Sequence, residues 1–221
     1  IQLTRTGDNR APRWSPDGEH IAFSSSRETE GEESSGSQLW RLDPRGGAPK
    51  AITSVEHGVR GARWLDDDRL LFTAREPSTR YEEHLEATED DADVIEDTTL
   101  FRPVRLFTVH VGTGEVTRVT NNDHQISEFA PSPNGSHVVY SLSASPIDAA
   151  ARNQPHQFLL NLDTGATTEI FDEQYFDPSN FRWTADGAGF YATDSYSSDP
   201  EHESAGITKL YHYDLAARDY Q

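Results

Sequence analysis

Apolar residues along this chain fall in short runs, separated by polar clusters rich in Pro, Gly, Asp and Asn. One such run returns four times. Its clearest copy is Trp14-Ser15-Pro16-Asp17-Gly18, followed by Ile21-Ala22-Phe23. Pro16 presets φ, Asp17 can bond the local backbone and Gly18 accepts positive φ, so the phrase predicts a strand end, a tight turn and a new strand. The other copies are Trp64-Leu65-Asp66-Asp67-Asp68 with Leu70-Leu71-Phe72, Pro131-Ser132-Pro133-Asn134-Gly135 with Val138-Val139-Tyr140, and Trp183-Thr184-Ala185-Asp186-Gly187 with Phe190-Tyr191-Ala192. Their first positions lie 50, 67 and 52 residues apart. A second landmark, a short strand closing on an apolar residue and usually Thr, gives Leu3, Ile52, Val119 and Ile170, spaced 49, 67 and 51. Two independent landmarks thus share one period, and a period of about 40–50 residues with several short strands per unit is that of propeller blades.

Within each unit the alternation of apolar and polar positions predicts four strands. In the first these are residues 9–14, 21–25, 38–42 and 50–53, with Asp43-Pro44-Arg45-Gly46-Gly47 as a hairpin turn and residues 1–4 as a leading strand from an earlier unit. The fold class is therefore all-β, a β-propeller of four-stranded antiparallel blades over 1–221, with units 5–53, 54–120, 121–170 and 171–221. The fourth unit stops where its closing strand should begin. Propellers close with about 4–8 blades, so about four blades starting in mid-pattern predict part of a larger, seven-bladed propeller, a complete four-bladed one being the alternative. The long interval comes from an insertion at 76–102, where nine of the sixteen residues from Glu82 to Asp97 are acidic. Such a segment can bury little; Tyr81 to Ala87 has the spacing of a short helix. Aromatics at Trp14, Phe23, Trp40, Trp64, Phe72, Phe107, Phe129, Tyr140, Phe158, Trp183 and Tyr191 recur at matching places and are expected to pack between neighbouring blades.

Charge changes the picture next. The chain carries 38 acidic and 19 basic residues, a formal charge of −19, and only Lys50 and Lys209 of the basic residues are lysines. Self-repulsion of this size is relieved in concentrated salt, where the Debye length falls to about 3 Å. An acidic, lysine-poor chain thus points to a salt-loving source, an ordinary acidic protein being the alternative. The same charge disfavours nucleic acid and anionic membranes as partners. No apolar run approaches the ~18 residues of a membrane span. The absence of cysteine fits a reducing, cytoplasmic compartment.

The string WSPDG…IAFSSSR…QLWRLDPRGGAPKAIT resembles the WD40-like PD40 repeats of TolB-like propellers and of the propeller domain in the prolyl oligopeptidase family of serine peptidases. DADVIED, LFTVHVGTGEVTRVT and APSPNG look most like the acylaminoacyl-peptidase branch of that family. The resemblance implies a non-catalytic, substrate-gating domain. Its partners would be an α/β-hydrolase domain of the same polypeptide, which supplies a Ser-Asp-His triad, and a small peptide substrate. The alternative is a free-standing TolB-like propeller that binds a protein partner; a weaker third reading is a propeller enzyme with carboxylates in its channel.

Candidate chemistry is sparse. No two of the 15 glycines are four residues apart, so the Gly-x-Ser-x-Gly nucleophile elbow is absent. The nine histidines show no metal-ligand spacing, and no catalytic residue, metal site or cofactor is expected. Tyr81, Glu82 and Glu83 are the one candidate substrate contact. Adjacent carboxylates can hold a peptide's ammonium by charge-assisted hydrogen bonds, and in the dipeptidyl-peptidase branch of the resembled family a paired Glu does so. Asp90-Asp91 and Asp66-Asp67-Asp68 are weaker cation candidates, since neither has the alternate-position pattern of a Ca²⁺ loop.

Overall fold

A computed structural model describes residues 2–27, 36–78, 80, 102–143, 156–173, 176–197 and 206–221. Its strands form four sheets, each of four antiparallel strands in sequence order. The first holds β1 (Asn9–Trp14), β2 (Ile21–Ser25), β3 (Gln38–Leu42) and β4 (Lys50–Ala51); the second β5 (Val59–Trp64), β6 (Arg69–Arg75), β7 (Val104–His110) and β8 (Val116–Arg118). The third holds β9 (Gln125–Pro131), β10 (His137–Ser143), β11 (His156–Asn161) and β12 (Thr167–Ile170); the fourth β13 (Ser179–Trp183), β14 (Gly189–Ser197), β15 (Gly206–Asp214) and β16 (Asp219–Tyr220). The chain divides into two compact units, Ile1–Asp123 and His124–Gln221, so each unit contains two sheets.

Two expectations change. Residues 2–4 lie in no strand. The fourth sheet does have a closing strand: β16 pairs Tyr213 with Tyr220 and Asp214 with Asp219.

The recurring turn works as the sequence suggests. Ser15 Oγ donates to Asp17 Oδ1 (2.6 Å) and accepts from His20 N (2.9 Å), while Asp17 Oδ1 also accepts from Glu19 N (2.9 Å). Ser132 with Asn134, and Thr184 with Asp186, repeat this arrangement. The bonds from Ser15 and Thr184 hold the Asp17 and Asp186 carboxyls below the ordinary aspartate value. In the turn of the second sheet Leu65 replaces the hydroxyl residue, and Asp66 is held by Arg69 instead. The threonine after the closing strand also has a task. Thr53 Oγ1 accepts from Leu39 N (2.8 Å) and Thr120 Oγ1 from Leu106 N (3.0 Å), satisfying buried donors that the short closing strand leaves unpaired.

Alternation decides the packing. In the first unit Ala22 and Leu39 on one face of the first sheet meet Leu70, Phe72, Ala74 and Val109 of the second. In the second unit Val139 and Ile170 meet Phe181, Phe190, Ala192 and Tyr213. Cross-strand aromatic pairs stiffen single sheets: Phe72–Phe107 at 5.8 Å, Tyr140–Phe158 at 5.5 Å and Phe190–Tyr213 at 5.1 Å between centroids. Phe171 replaces the closing threonine after Ile170. It takes a left-handed conformation (φ 58°) and meets Phe176, Phe190, Tyr213 and Tyr220 edge-on. Strain of about 1–3 kcal/mol at such a residue persists only where its surroundings hold it.

Neighbouring sheets come closest along their first strands, β1 against β5 and β9 against β13. There the recurring tryptophan ties one sheet to the one before it. Trp64 Nε1 donates to Arg13 O (3.1 Å) and Trp183 Nε1 to Ala130 O (2.9 Å), the same bond between matching positions. Trp14 occupies the same place in the first repeat, yet it is 58% exposed, and Tyr191 is 42% exposed. These two aromatics therefore depart from the expected packing role.

This contrast is testable in the 221-residue protein. Trp183→Phe keeps the ring contact but loses a hydrogen bond, and is expected to cost about 1 kcal/mol. Trp14→Phe should leave stability within a few tenths of a kcal/mol, as roughly neutral surface changes do. Urea midpoints at unchanged slope check both; equal losses would contradict the assigned role of the indole bond.

Candidate functional site

Tyr81, Glu82 and Glu83 lie outside the described residues, as do Asp90 and Asp91. The structure does describe the base from which their segment leaves the second sheet. Glu76 N extends the β6–β7 ladder by bonding Pro103 O (3.3 Å). Glu76 Oε1 then accepts from Arg105 Nη1 (2.8 Å) and Arg118 Nη1 (3.2 Å), joining β6 to β7 and β8. Beside it Glu56 accepts from Ser78 N (3.1 Å) and from the Ser78 hydroxyl, and Arg102 Nη1 donates to Ser78 Oγ (2.8 Å) and contacts His57 Nε2. Arginine carries only donors, so His57 Nε2 accepts in that contact. The Ser78 hydroxyl bond holds the Glu56 carboxyl below its usual value, while partial burial works the other way. Both ends of the insertion are thus clasped to the sheet by charged hydrogen bonds.

The remaining candidates are occupied by structure. Asp66 is bonded by Asp68 N, Arg69 N and the Arg69 guanidinium, and Asp67 Oδ1 accepts from Asp17 N (2.9 Å), joining successive turns. Among the described residues, no group of three or more His, Asp or Glu is placed to hold a metal ion. His110 Nδ1 accepts from Gly112 N and Thr113 N inside the β7–β8 turn. Ser136 Oγ and His137 Nδ1, 2.8 Å apart, look like a nucleophile and base. The arrangement has the wrong polarity. Asn161 Oδ1 accepts from Asp163 N and Thr164 N, which leaves its amide nitrogen facing His137 Nε2 at 3.2 Å. Nε2 must accept, so the ring proton sits on Nδ1 and points at Ser136. His137 therefore cannot take the serine's proton in this tautomer.

A feature that sequence reasoning missed lies on the first strands. Arg10 and Arg13 on β1 match Arg60 and Arg63 on β5, and Arg182 on β13 matches Arg13. Residues three apart on a regular strand face opposite ways. Here a bulge inserts one residue: Arg10 pairs with Ser24 and Arg13 with Ala22, so both lie on one face. Arg60 opposite Thr73 and Arg63 opposite Leu71 repeat the register. The inserted residues Ala11 (φ 49°) and Gly61 (φ 55°) are left-handed, as is Asn180 (φ 58°) in β13. Only Arg-Trp recurring at 13–14, 63–64 and 182–183 hinted at this.

No family model matches the chain. It is 28% identical over 165 residues to the uncharacterized peptidase YuxL of Bacillus subtilis (strain 168), over 68% of this chain and 24% of that protein. It is 30% identical over 64 residues, 29% of the chain, to the lasso peptide isopeptidase AtxE2 of Asticcacaulis excentricus, covering 8% of it. The chain thus spans a quarter or less of the curated relatives it matches. Among solved structures, TolB from Acinetobacter baumannii superposes with a TM-score of 0.61 at 17% identity, over 97% of this chain and 43% of that one. Acylaminoacyl peptidase from Pyrococcus horikoshii gives 0.58 at 17%, over 94% and 31%. An oligogalacturonate lyase in complex with manganese gives 0.66 at 16%, over 100% and 54%. These likenesses establish the fold as a β-propeller of four-stranded antiparallel blades, related in architecture to TolB-like proteins and to the propellers of peptidases.

The clasp at the base of the insertion carries a prediction. Arg105 and Glu76 side chains are only 15% and 22% exposed. Glu76→Gln keeps one acceptor oxygen but removes the negative charge that two arginines meet, and is expected to cost about 1–3 kcal/mol, the range for hydrogen bonds to charged groups. Thermal melts of the 221-residue protein check it; an unchanged melting temperature would mean the clasp does not hold the sheet.

Proposed function

We propose that this chain is the non-catalytic propeller portion of a serine peptidase of the prolyl oligopeptidase type, closest in kind to acylaminoacyl peptidases. It would be part of a larger, seven-bladed propeller that governs access of small peptides to an α/β-hydrolase domain in the same polypeptide. The observation that carries this is the 28% identity to a peptidase over 165 residues. The architecture is compatible, and the absence of a nucleophile elbow from the sequence leaves hydrolysis to another domain. In this reading Tyr81, Glu82 and Glu83 meet the substrate's amino terminus, and the clasped ends of the insertion fix where that segment leaves the sheet. Cytoplasmic location and adaptation to high salt belong to the same proposal, the latter resting on the charge of −19 and the two lysines. The TolB likeness at 97% coverage supports a second reading, a propeller acting only as a protein-binding module.

Sequencing the coding region downstream separates the two, since a Gly-x-Ser-x-Gly hydrolase domain is expected under the first and not the second. In the protein that includes such a domain, Glu82→Gln with Glu83→Gln should raise KM about tenfold or more for free-amino peptides, the loss of one charge-assisted contact, and spare N-blocked ones. Equal effects on both would remove the ammonium-binding role. The melting temperature of the 221-residue protein should rise from low to molar KCl as repulsion is screened; a flat response would count against salt adaptation.

A further inference from the structure

We propose that the cleft between β1 and β5 in the first unit is a binding site for a peptide carboxylate, received by the amides of Gly61 and Ala62 and by the guanidinium of Arg13. This deepens the substrate-gating reading and rests on it for the class of ligand. The second unit shows what such a site holds. There Glu128 of β9 reaches the bulge of β13, and its carboxylate accepts from Asn180 N (3.0 Å) and Phe181 N (3.2 Å). A left-handed residue in a turn-like bulge directs successive N–H groups to one side, which is the geometry of an anion-binding nest. Gly61 and Ala62 hold the matching places in β5. They precede Trp64 as Asn180 and Phe181 precede Trp183, and Gly61 is left-handed (φ 55°) like Asn180 (φ 58°).

The first unit has these amides without the carboxylate. Glu128 stands opposite Ser141; opposite Ser24, which has the same place in the first sheet, stands Arg10. Counted along the chain from the turn, the matching residue is Ala11. Neither side chain can accept a hydrogen bond, and Arg10 is turned to Asp8 (2.6 Å). The ladder does not use the Ala62 amide. Leu65 N bonds Arg69 O (2.9 Å), and hydrogen-bonded pairs alternate from there, so Arg63 with Leu71 is the next such pair. Ala62 opposite Phe72 then falls on a pair whose N–H groups point away from each other. Among the described residues no side chain accepts from Gly61 N or Ala62 N. What lies there is a cleft of about 30 Å³ lined by Ala11, Arg13, Gly61 and Ala62, with space for about two waters, the bulk of a carboxylate group. Arg13 is on the face of the first sheet that meets the second, since it pairs with Ala22. Its carbonyl accepts from Trp64 Nε1 (3.1 Å), which holds β1 against β5. Its guanidinium spends one N–H on the Pro12 carbonyl, at 3.4 Å, and the rest of the fork can meet a carboxylate. The second unit has Ala130 at this place. One unit thus supplies its own carboxylate; the other offers two amides and a cation to a carboxylate brought by a ligand.

Amide chemical shifts of the isotope-labelled 221-residue protein test this, because they report the site itself and detect weak binding. Acetyl-trialanine, which ends in a free carboxylate, should move the Gly61 and Ala62 amides. Asn180 and Phe181, already bonded to Glu128, should stay still. Acetyl-Ala-Glu-Ala amide tests a side-chain carboxylate as the source, and acetyl-trialanine amide, which has no carboxylate, should move neither site. Arg13→Gln should weaken binding about tenfold, the scale of a charge-assisted contact. Arg10→Glu puts an acceptor opposite Ser24, as Glu128 is opposite Ser141; it should shift both amides downfield and remove their response to peptide. A response to either carboxylate peptide supports the proposal and identifies the source. No response to both, an equal response to the amide peptide, unchanged affinity in Arg13→Gln, or a full response in Arg10→Glu would each overturn it. The measurement needs no hydrolysis. A longer protein that cleaves no peptide would end the peptidase reading and leave the cleft standing, whereas silent amides would remove the cleft and leave the sequence identity to a peptidase untouched.

Discussion

A four-stranded sheet has two faces and cannot cover both by itself; that constraint organises this chain. The answer visible within each unit is to lay the next sheet against the last. Ala22 and Leu39 are buried because Leu70 and Phe72 arrive on them, and Val139 because Phe181 and Phe190 do. Burial is non-directional, so it sets that the sheets stack without setting their register. The indole bonds do that. Trp64 and Trp183 each reach back to the carbonyl of one residue on the preceding first strand. Because the bond recurs between matching positions, the two sheets of each unit meet in the same way.

Much of this was legible in the sequence. The turn phrase could be read because its chemistry is local: Ser15, Asp17 and Gly18 act within six residues. The closing threonine was legible as a recurrence and not as a reason. Its hydroxyl serves the Leu39 and Leu106 amides, which come from another strand. The aromatics were read as one class and divide into cross-strand pairs, contacts between sheets, and the exposed Trp14 and Tyr191. Alternation shows which residues share a face; it does not show whether another sheet covers that face.

The pairing of arginines on one face of a first strand was illegible for a sharper reason. Three-residue spacing on a strand normally means opposite faces, so Arg10 and Arg13 look unrelated until the left-handed Ala11 is known. Glycine at the matching position 61 is the ordinary signal of such a bulge, but Ala11 and Asn180 conceal it. The candidate carboxylates carried the opposite bias. An acidic chain offers many Asp and Glu pairs by composition alone, and Asp66 and Asp67 are acceptors for Arg69 and for the neighbouring turn.

Net charge and local charge therefore have to be argued separately. A total of −19 describes the far field and sets solubility and salt response. It says little about contacts made within a few ångströms, where the sign of the nearest groups decides. On β1 and β5 those groups are guanidinium ions. The clasp shows what an acidic surface asks of its cations: Glu76 is held by two arginines, and Arg102 reaches the Ser78 hydroxyl that bonds Glu56. Arginine suits both places because its fork keeps direction when salt has removed reach. Lysine, a compact and strongly hydrated charge, gives up more of its hold under those conditions. In the salt-adapted reading proposed above, the scarcity of lysine and the use of arginine would both follow from one physical demand, that attraction be made by contact rather than across a distance.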